Sequence, residues 1–291
     1  FFVSNKFMKL KTFYKLFYRH RVVKANVFLK IYLILIIPFR YIANFLFFKK
    51  NINLDEYSKK KADLYEMDLN YLFEHFNSDK GNKFYDQYVQ PIKKNSKIII
   101  DGHDYSKFYE DYFKIIKNKK LNILEIGSFY GNASAALYFY FQKANIFSAD
   151  IFPDLFSYSS ERIKNFYVDS SKETSIEKNI IKLNQSFDII IEDASHSFKD
   201  QIISLFMLFH KLNRGGIFIV EELDFPDTRK DMNLKNEKPT LRDILIDIQA
   251  NKDFTSKFVD ISQKDLFLST FDKIKILKGK FNEFAIITKK K

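Results

Sequence analysis

From residue 121 onward the chain alternates short apolar runs with longer amphipathic ones. LNILEIG at 121–127, NIFSAD at 145–150, KNFYVD at 164–169, FDIIIED at 187–193 and GIFIVEE at 216–222 read as strands. NASAALYFYFQK at 132–143, SFKDQIISLFMLFHKL at 197–212 and TLRDILIDIQAN at 240–251 read as helices with one apolar face. Ser171 is expected to cap a further helix over 172–183. KFVDIS, KIKILK and NEFAIITK, at 257–262, 273–278 and 282–289, read as closing strands. Strands that are apolar throughout and separated by helices predict an α/β fold, its mostly parallel sheet covered on both faces.

Upstream the pattern is different. Residues 55–76 space Leu and Phe as a helix does, NSDKGNKFYDQY is turn-rich, KIII at 97–100 is strand-like, and DGHDYSKFYEDYFKIIK begins a helix. Residues 25–48 are mostly apolar but are interrupted by Lys30, Pro38 and Arg40. Their longest run without a charge, IYLILIIPF, has nine residues, against the roughly 20 needed to span a bilayer. Three roles stay open for this segment: a helix lying in an anionic membrane interface, a layer packed on the domain or on a second copy of the chain, and a spanning or signal segment. No small-residue cleavage site supports the last. The chain begins with Phe1 rather than Met, so its natural start is expected upstream. The expected division is a basic hydrophobic segment over 1–50, a helical cap over 51–120 and a ligand-binding domain over 121–291.

Charge changes this picture only once it is located. The net charge is +12, but eleven of the 48 Lys and Arg lie in residues 1–50, which hold no acid, so the other 37 face 36 acids. The larger part of the chain is near neutral and lacks the basic surface that tracks phosphates, which disfavours a nucleic-acid enzyme. There is no cysteine, which excludes disulfides and thiolate metal sites. A cytoplasmic location is the expectation, peripheral on the cytoplasmic membrane face if residues 1–50 bind a bilayer. With only seven glycines, each one kept marks a place where the backbone needs it; Gly127, Gly131, Gly215 and Gly216 all adjoin the strand ends.

Those strand ends carry the chemistry. The first closes in LEIGSFYGNAS, giving Glu125, Gly127 and Gly131; the second ends in Asp150 and the third in Asp169. Gly127 permits a tight turn, Gly131 lets a ligand approach the next helix, Asp150 can accept two hydrogen bonds from a ribose diol, and Asp169 can meet an adenine amino group. A dinucleotide would favour G-x-G-x-x-G, but Phe129 stands at the second Gly position. This order of acids and glycines resembles the S-adenosylmethionine site of class I methyltransferases; a loop with no ligand is the bland alternative.

The fourth strand ends in Asp193, with His196 three residues on, and the fifth in Glu221 and Glu222. Neighbouring strands set these ends side by side, and three close carboxylates need protons or a cation. A hard divalent ion, Mg²⁺ above all, answers that need, and His196 is placed to take a proton from a substrate hydroxyl. Alternation along the strand turns Glu192 to the opposite face from Asp193. The plain alternative is that these acids cap strands in solvent and His196 starts a helix.

DASH with Gln201, followed by LNRGGIFIVEEL, resembles the metal-dependent macrolide-sugar O-methyltransferases and the related cephalosporin-hydroxylase-like proteins. The resemblance implies a Rossmann-like, seven-stranded class I fold, metal binding by Asp193, Glu221 and Glu222, and a base role for His196. Glu222 stands where the family usually has Asp. The family's T-D-K-G and H-x-Y-x-x-x-Y-E stretches have counterparts in SDKG at 78–81 and HDYSKFYE at 103–110, implying a lid or substrate role for Asp79, Lys80, His103, Tyr105 and Tyr109. The implied activity is S-adenosylmethionine-dependent methylation of a sugar hydroxyl on a glycan, glycolipid or glycosylated metabolite. A membrane-attached, non-catalytic scaffold on the same fold is the rival; an RNA methyltransferase is a more distant one. His20, His75 and His210 lack such a context and read as structural or surface residues.

Overall fold

The computed structural model describes residues 9–18, 22, 25–47, 51–86 and 98–291. His20 and much of the basic segment lie outside them. Seven strands form the main sheet: β1 (Asn122–Ile126), β2 (Asn145–Asp150), β3 (Ile163–Tyr167), β4 (Phe187–Glu192), β5 (Leu212–Val220), β6 (Phe271–Lys278) and β7 (Glu283–Lys289). Their order is β6-β7-β5-β4-β1-β2-β3. The strands β3, β2, β1, β4 and β5 are parallel, and β7 runs antiparallel to both β5 and β6.

The strand alternation divides the core into two layers. Ile123, Ile189, Ile191, Ile217 and Ile219 face one layer, with Leu72, Phe73, Tyr109 and Leu137. The last four come from the helices α4 (Leu69–His75), α5 (Ser106–Phe113) and α6 (Asn132–Tyr140). Leu124, Ile126, Ile190, Phe218 and Val220 face the other layer, where they meet α7 (Phe198–Leu208), α8 (Leu241–Asn251) and α9 (Ile261–Thr270). Because both faces are buried, the central strands need the unbroken Ile-rich runs that made them legible.

Ahead of the sheet lie α1 (Leu10–Phe17), α2 (Val27–Phe47) and α3 (Leu54–Lys60). Asn53 and Asp68 accept backbone N–H bonds at the starts of α3 and α4, so the helix expected over 55–76 is cut into short pieces.

Other expectations change as well. The run at 257–262 is no strand: Asp260 and Gln263 form a reciprocal capping box and launch α9. Over 172–183 a four-residue α-helix, Glu173–Ile176, passes into a π-helical turn, Glu177–Ile181. Ser171 does not cap it; its hydroxyl donates to Asp169 Oδ1 instead. The strand expected at 97–100 is Ile99–Asp101, with residue 97 outside the described set.

Candidate active site

A cavity of about 540 Å³ opens at the C-terminal ends of β1, β2, β4 and β5. Parallel α/β sheets bind ligands there because the strand order reverses beside β1 and the crossover helices leave a crevice.

On its β1–β2 side the backbone does most of the building. Gly127 has φ +94°, and a Cβ there would lie 1.8 Å from the Asp193 carbonyl oxygen, so only glycine lets the β1 loop pass the β4 loop. Gly131, φ +80°, would drive a Cβ into the Phe156 ring; it starts α6 and does not itself line the cavity. Asp150 accepts the Phe129 N–H on Oδ2 at 2.8 Å and the Phe152 N–H on Oδ1 at 2.7 Å. These two bonds hold the carboxylate in the cavity wall, and each oxygen retains a second lone pair for a ligand. Glu125 is buried and accepts the Ser134 hydroxyl; burial pushes its carboxyl up to about 7, with Lys80 opposing. Asp169 is not brought into the cavity: Ser171 and Lys172 take up its carboxylate.

The β4–β5 side is built by side chains. The strand β5 ends at Val220 and Glu222 takes φ +46°, so the backbone turns and consecutive acids need not oppose each other across a sheet. Asp193, His196 and Glu222 offer ligand atoms that all lie within 4.8 Å of one another. His196 Nε2 is 3.6 Å from Asp193 Oδ1, and its Nδ1 is 3.5 Å from Glu222 Oε2. His196 Nδ1 and Glu222 Oε2 are buried without a hydrogen-bond partner. The orphaned Glu222 Oε2 and the nearby Asp193 carboxylate fit a divalent cation held between the two acids, while the His196 ring beside them keeps one nitrogen free for a proton. Burial drives the Glu222 carboxyl well above the usual carboxylate range, Asp193 and Glu221 adding to it. Burial also lowers the His196 imidazole, which keeps it neutral and able to accept a proton.

Glu221 stands apart from this group, unlike the three-carboxylate set expected from the sequence. Its Oε2 accepts from Lys80 Nζ at 2.8 Å and its Oε1 from the Tyr109 hydroxyl at 2.6 Å. Lys80 also donates to Asp193. Its ammonium is fully buried; burial alone would lower its pKa, but Asp193 and Glu221 hold it well above the ordinary lysine value. A fixed internal cation therefore already neutralises part of the acid cluster.

The SDKG and HDYSKFYE stretches meet despite the residues between them. His103 N–H donates to the Asp79 carbonyl at 2.6 Å, Asp104 N–H to Gly81 at 3.1 Å, and Tyr105 N–H to Lys80 at 3.0 Å. Gly102 permits this contact, since a Cβ there would sit 2.1 Å from the Gly81 oxygen. Lys80 thereby reaches the acids, while His103 Nε2 lies 3.4 Å from Glu222 Oε1 and stacks on the buried Tyr105 ring. Asp79 and His103 line the cavity; Tyr105 and Tyr109 stand behind it. Glu110 instead accepts the Leu69 N–H at the start of α4.

Sequence reasoning missed the centrality of Lys80 and the placing of Arg229, Asn132 and Tyr130 in the cavity wall. Only the SDKG motif pointed toward Lys80. Strand alternation turned Glu192 away from Asp193, and Glu192 lies wholly buried, its carboxyl pushed up to about 8 by burial and by Asp193.

No protein-family model matches the chain. It is 27% identical over 128 residues to the 8-demethyl-8-α-L-rhamnosyl tetracenomycin-C 2′-O-methyltransferase of Streptomyces olivaceus, a match covering 42% of this chain and 33% of that protein. It is 25% identical over 128 residues to the mycinamicin VI 2″-O-methyltransferase of Micromonospora griseorubida, covering 42% and 32%. The chain thus spans about a third of the length of the curated relatives it matches. Among solved structures, the MycE methyltransferase of the mycinamycin pathway in complex with Mg and SAH aligns with a TM-score of 0.57 and 18% identity, over 77% of this chain and 55% of that one. A further MycE complex, which also holds mycinamycin VI, aligns at 0.54 and 17% over the same shares. The chain has the class I methyltransferase fold, and in sequence it resembles sugar O-methyltransferases.

Proposed function

We propose that this protein methylates a sugar hydroxyl of a glycan, glycolipid or glycosylated metabolite, using S-adenosylmethionine and a divalent cation, Mg²⁺ being the expected one. The observation that carries this reading is one cavity lined at one end by Asp150 and Gly127 and at the other by Asp193, His196 and Glu222. S-adenosylmethionine supplies an electrophilic methyl carbon on its sulfonium. The chain then has to hold a sugar oxygen in line with that carbon and remove the oxygen's proton.

Asp150 is poised to hold a ribose diol through the lone pairs its backbone bonds leave free. Glu125 and the Gly127 loop complete the wall on that side. Asp193 and Glu222 would hold the cation, which when bound eases loss of a hydroxyl proton. Neutral His196 is the proposed proton acceptor. Lys80 and Tyr109 brace Glu221 and fix the acid cluster, and Asp79 and His103 close the acceptor side. Positioning supplies most of the rate, as expected where the methyl carbon is already activated.

The test is transfer of radiolabelled methyl groups to a panel of rhamnosides and other glycosides. Incorporation with Mg²⁺ that stops with EDTA is the expected result. A folded protein that transfers nothing to any sugar hydroxyl while methylating RNA would overturn the reading.

A further inference from the structure

We infer that the outward face of α2 is a docking surface for an anionic lipid bilayer. Phe28, Ile31, Tyr32, Leu35, Phe39 and Ile42 follow helical spacing and form one stripe. All six are exposed, Phe28 by 87%, Leu35 by 64% and Phe39 by 75%. Leu33 and Ile37, on the other side of the helix, are buried against Phe13, Tyr18, Val22 and Leu155. The helix is thus fixed to the protein by one face and presents a second apolar face outward. A soluble surface rarely leaves so many large apolar side chains in a row without an apolar partner.

Charge identifies the partner. Lys9, Lys11, Lys30 and Arg40 are exposed on and beside the same two helices, and residues 1–50 contain no acid. An apolar stripe in a uniformly basic segment matches a surface with a hydrocarbon interior and negative headgroups. Among the described residues no helix is long and apolar enough to cross a membrane, so α2 would lie in the interface.

The cavity adjoins this surface. Phe129, Tyr130 and Phe152 pack against the cluster that anchors α1 and α2, and the same three residues line the cavity. Docking α2 would set that wall close to the headgroups. On the methyl-transfer reading, the acceptor class becomes a glycan carried on a lipid.

The experiment is cosedimentation of the full chain with vesicles of phosphatidylcholine, alone or mixed with phosphatidylglycerol, alongside calorimetric S-adenosylmethionine binding. Binding to the mixed vesicles is expected, weakening with salt. It should fall at least tenfold in a Phe28→Ser, Leu35→Ser, Phe39→Ser variant, and about fivefold for each of Lys30→Gln and Arg40→Gln. Because the substituted side chains are exposed, S-adenosylmethionine binding should not change, which separates loss of docking from loss of fold or of the methyl-transfer reading. No vesicle binding, or binding indifferent to phosphatidylglycerol and salt, would overturn the inference. So would a dimer in sedimentation that the triple variant abolishes while vesicle binding stays absent, since a second copy would then cover the stripe.

Discussion

The two ends of the cavity are finished to different degrees. At the β1–β2 end the acid is held by backbone: Asp150 takes two N–H groups, and Gly127 sits where no other residue fits. At the β4–β5 end the acids are held by side chains and remain short of partners: Glu222 Oε2 and His196 Nδ1 are buried and unbonded. Backbone hydrogen bonds prebuild a rigid cradle for a neutral or cationic ligand. Leaving Glu222 Oε2 orphaned costs stability that a bound cation would return. Lys80 is the compromise between these extremes, a permanent charge that keeps the cluster folded while leaving Asp193 and Glu222 within reach of an ion.

The largest effect that would sharpen this contrast is on rate. His196→Ala should lower methyl transfer about 10²- to 10⁴-fold. S-adenosylmethionine affinity should stay near wild type, because Asp150 is held by the Phe129 and Phe152 backbone and not through His196. Steady-state kinetics and calorimetry read the two quantities separately; a joint collapse would mean the ends are one unit.

Next in size is the internal cation. Lys80→Met leaves the buried Glu221 and the half-buried Asp193 without their cation and should cost about 3–5 kcal/mol in denaturant unfolding with EDTA present. A divalent ion should restore part of that loss. If the variant is as stable as wild type, Lys80 does not hold the cluster together.

A smaller effect is set by pH. Glu192 keeps its proton up to about pH 8 in the fold, against a reference value of 4.5, because burial penalises its charge. The folded chain therefore binds more protons than the unfolded one across that window, and the Glu192 contribution to stability is lost as pH rises through it. Glu125, held up to about 7, works in the same direction. Glu192→Gln should flatten the decline and be more stable than wild type by about 2 kcal/mol at mildly alkaline pH. Urea unfolding across pH checks this; parallel curves would place Glu192 in a wetter setting.

These effects also mark what could be read from residues in order. Strands β1 to β5 were legible because burial on both faces forces continuous apolar runs, and the acids at their ends followed from where those runs stop. The closing strand expected at 257–262 failed because a short alternating run and a capped helix start share the same letters; Asp260 and Gln263 decided it through two local hydrogen bonds. The acid cluster was legible as a cluster, but its division was not. Lys80 reaches partners 113 and 141 residues away, and a lysine gives no local sign that it will be buried. That pairing, not strand alternation, separates Glu221 from Glu222. The basic apolar segment was legible as one suited to an interface or a packed layer, whereas only its packing shows which face, Leu33 and Ile37, is spent on the protein.

The most direct test of the account is calorimetry of S-adenosylmethionine with the full chain, with Mg²⁺ and with EDTA, on wild type and on Asp150→Ala. Wild type should bind in both conditions, and Asp150→Ala should lose roughly 100-fold in affinity, the worth of two hydrogen bonds to a charged group. A separate Mg²⁺ heat should also appear and should disappear in Asp193→Ala. A folded wild-type protein that binds no S-adenosylmethionine would contradict the central claim and leave a methyltransferase fold serving as a scaffold.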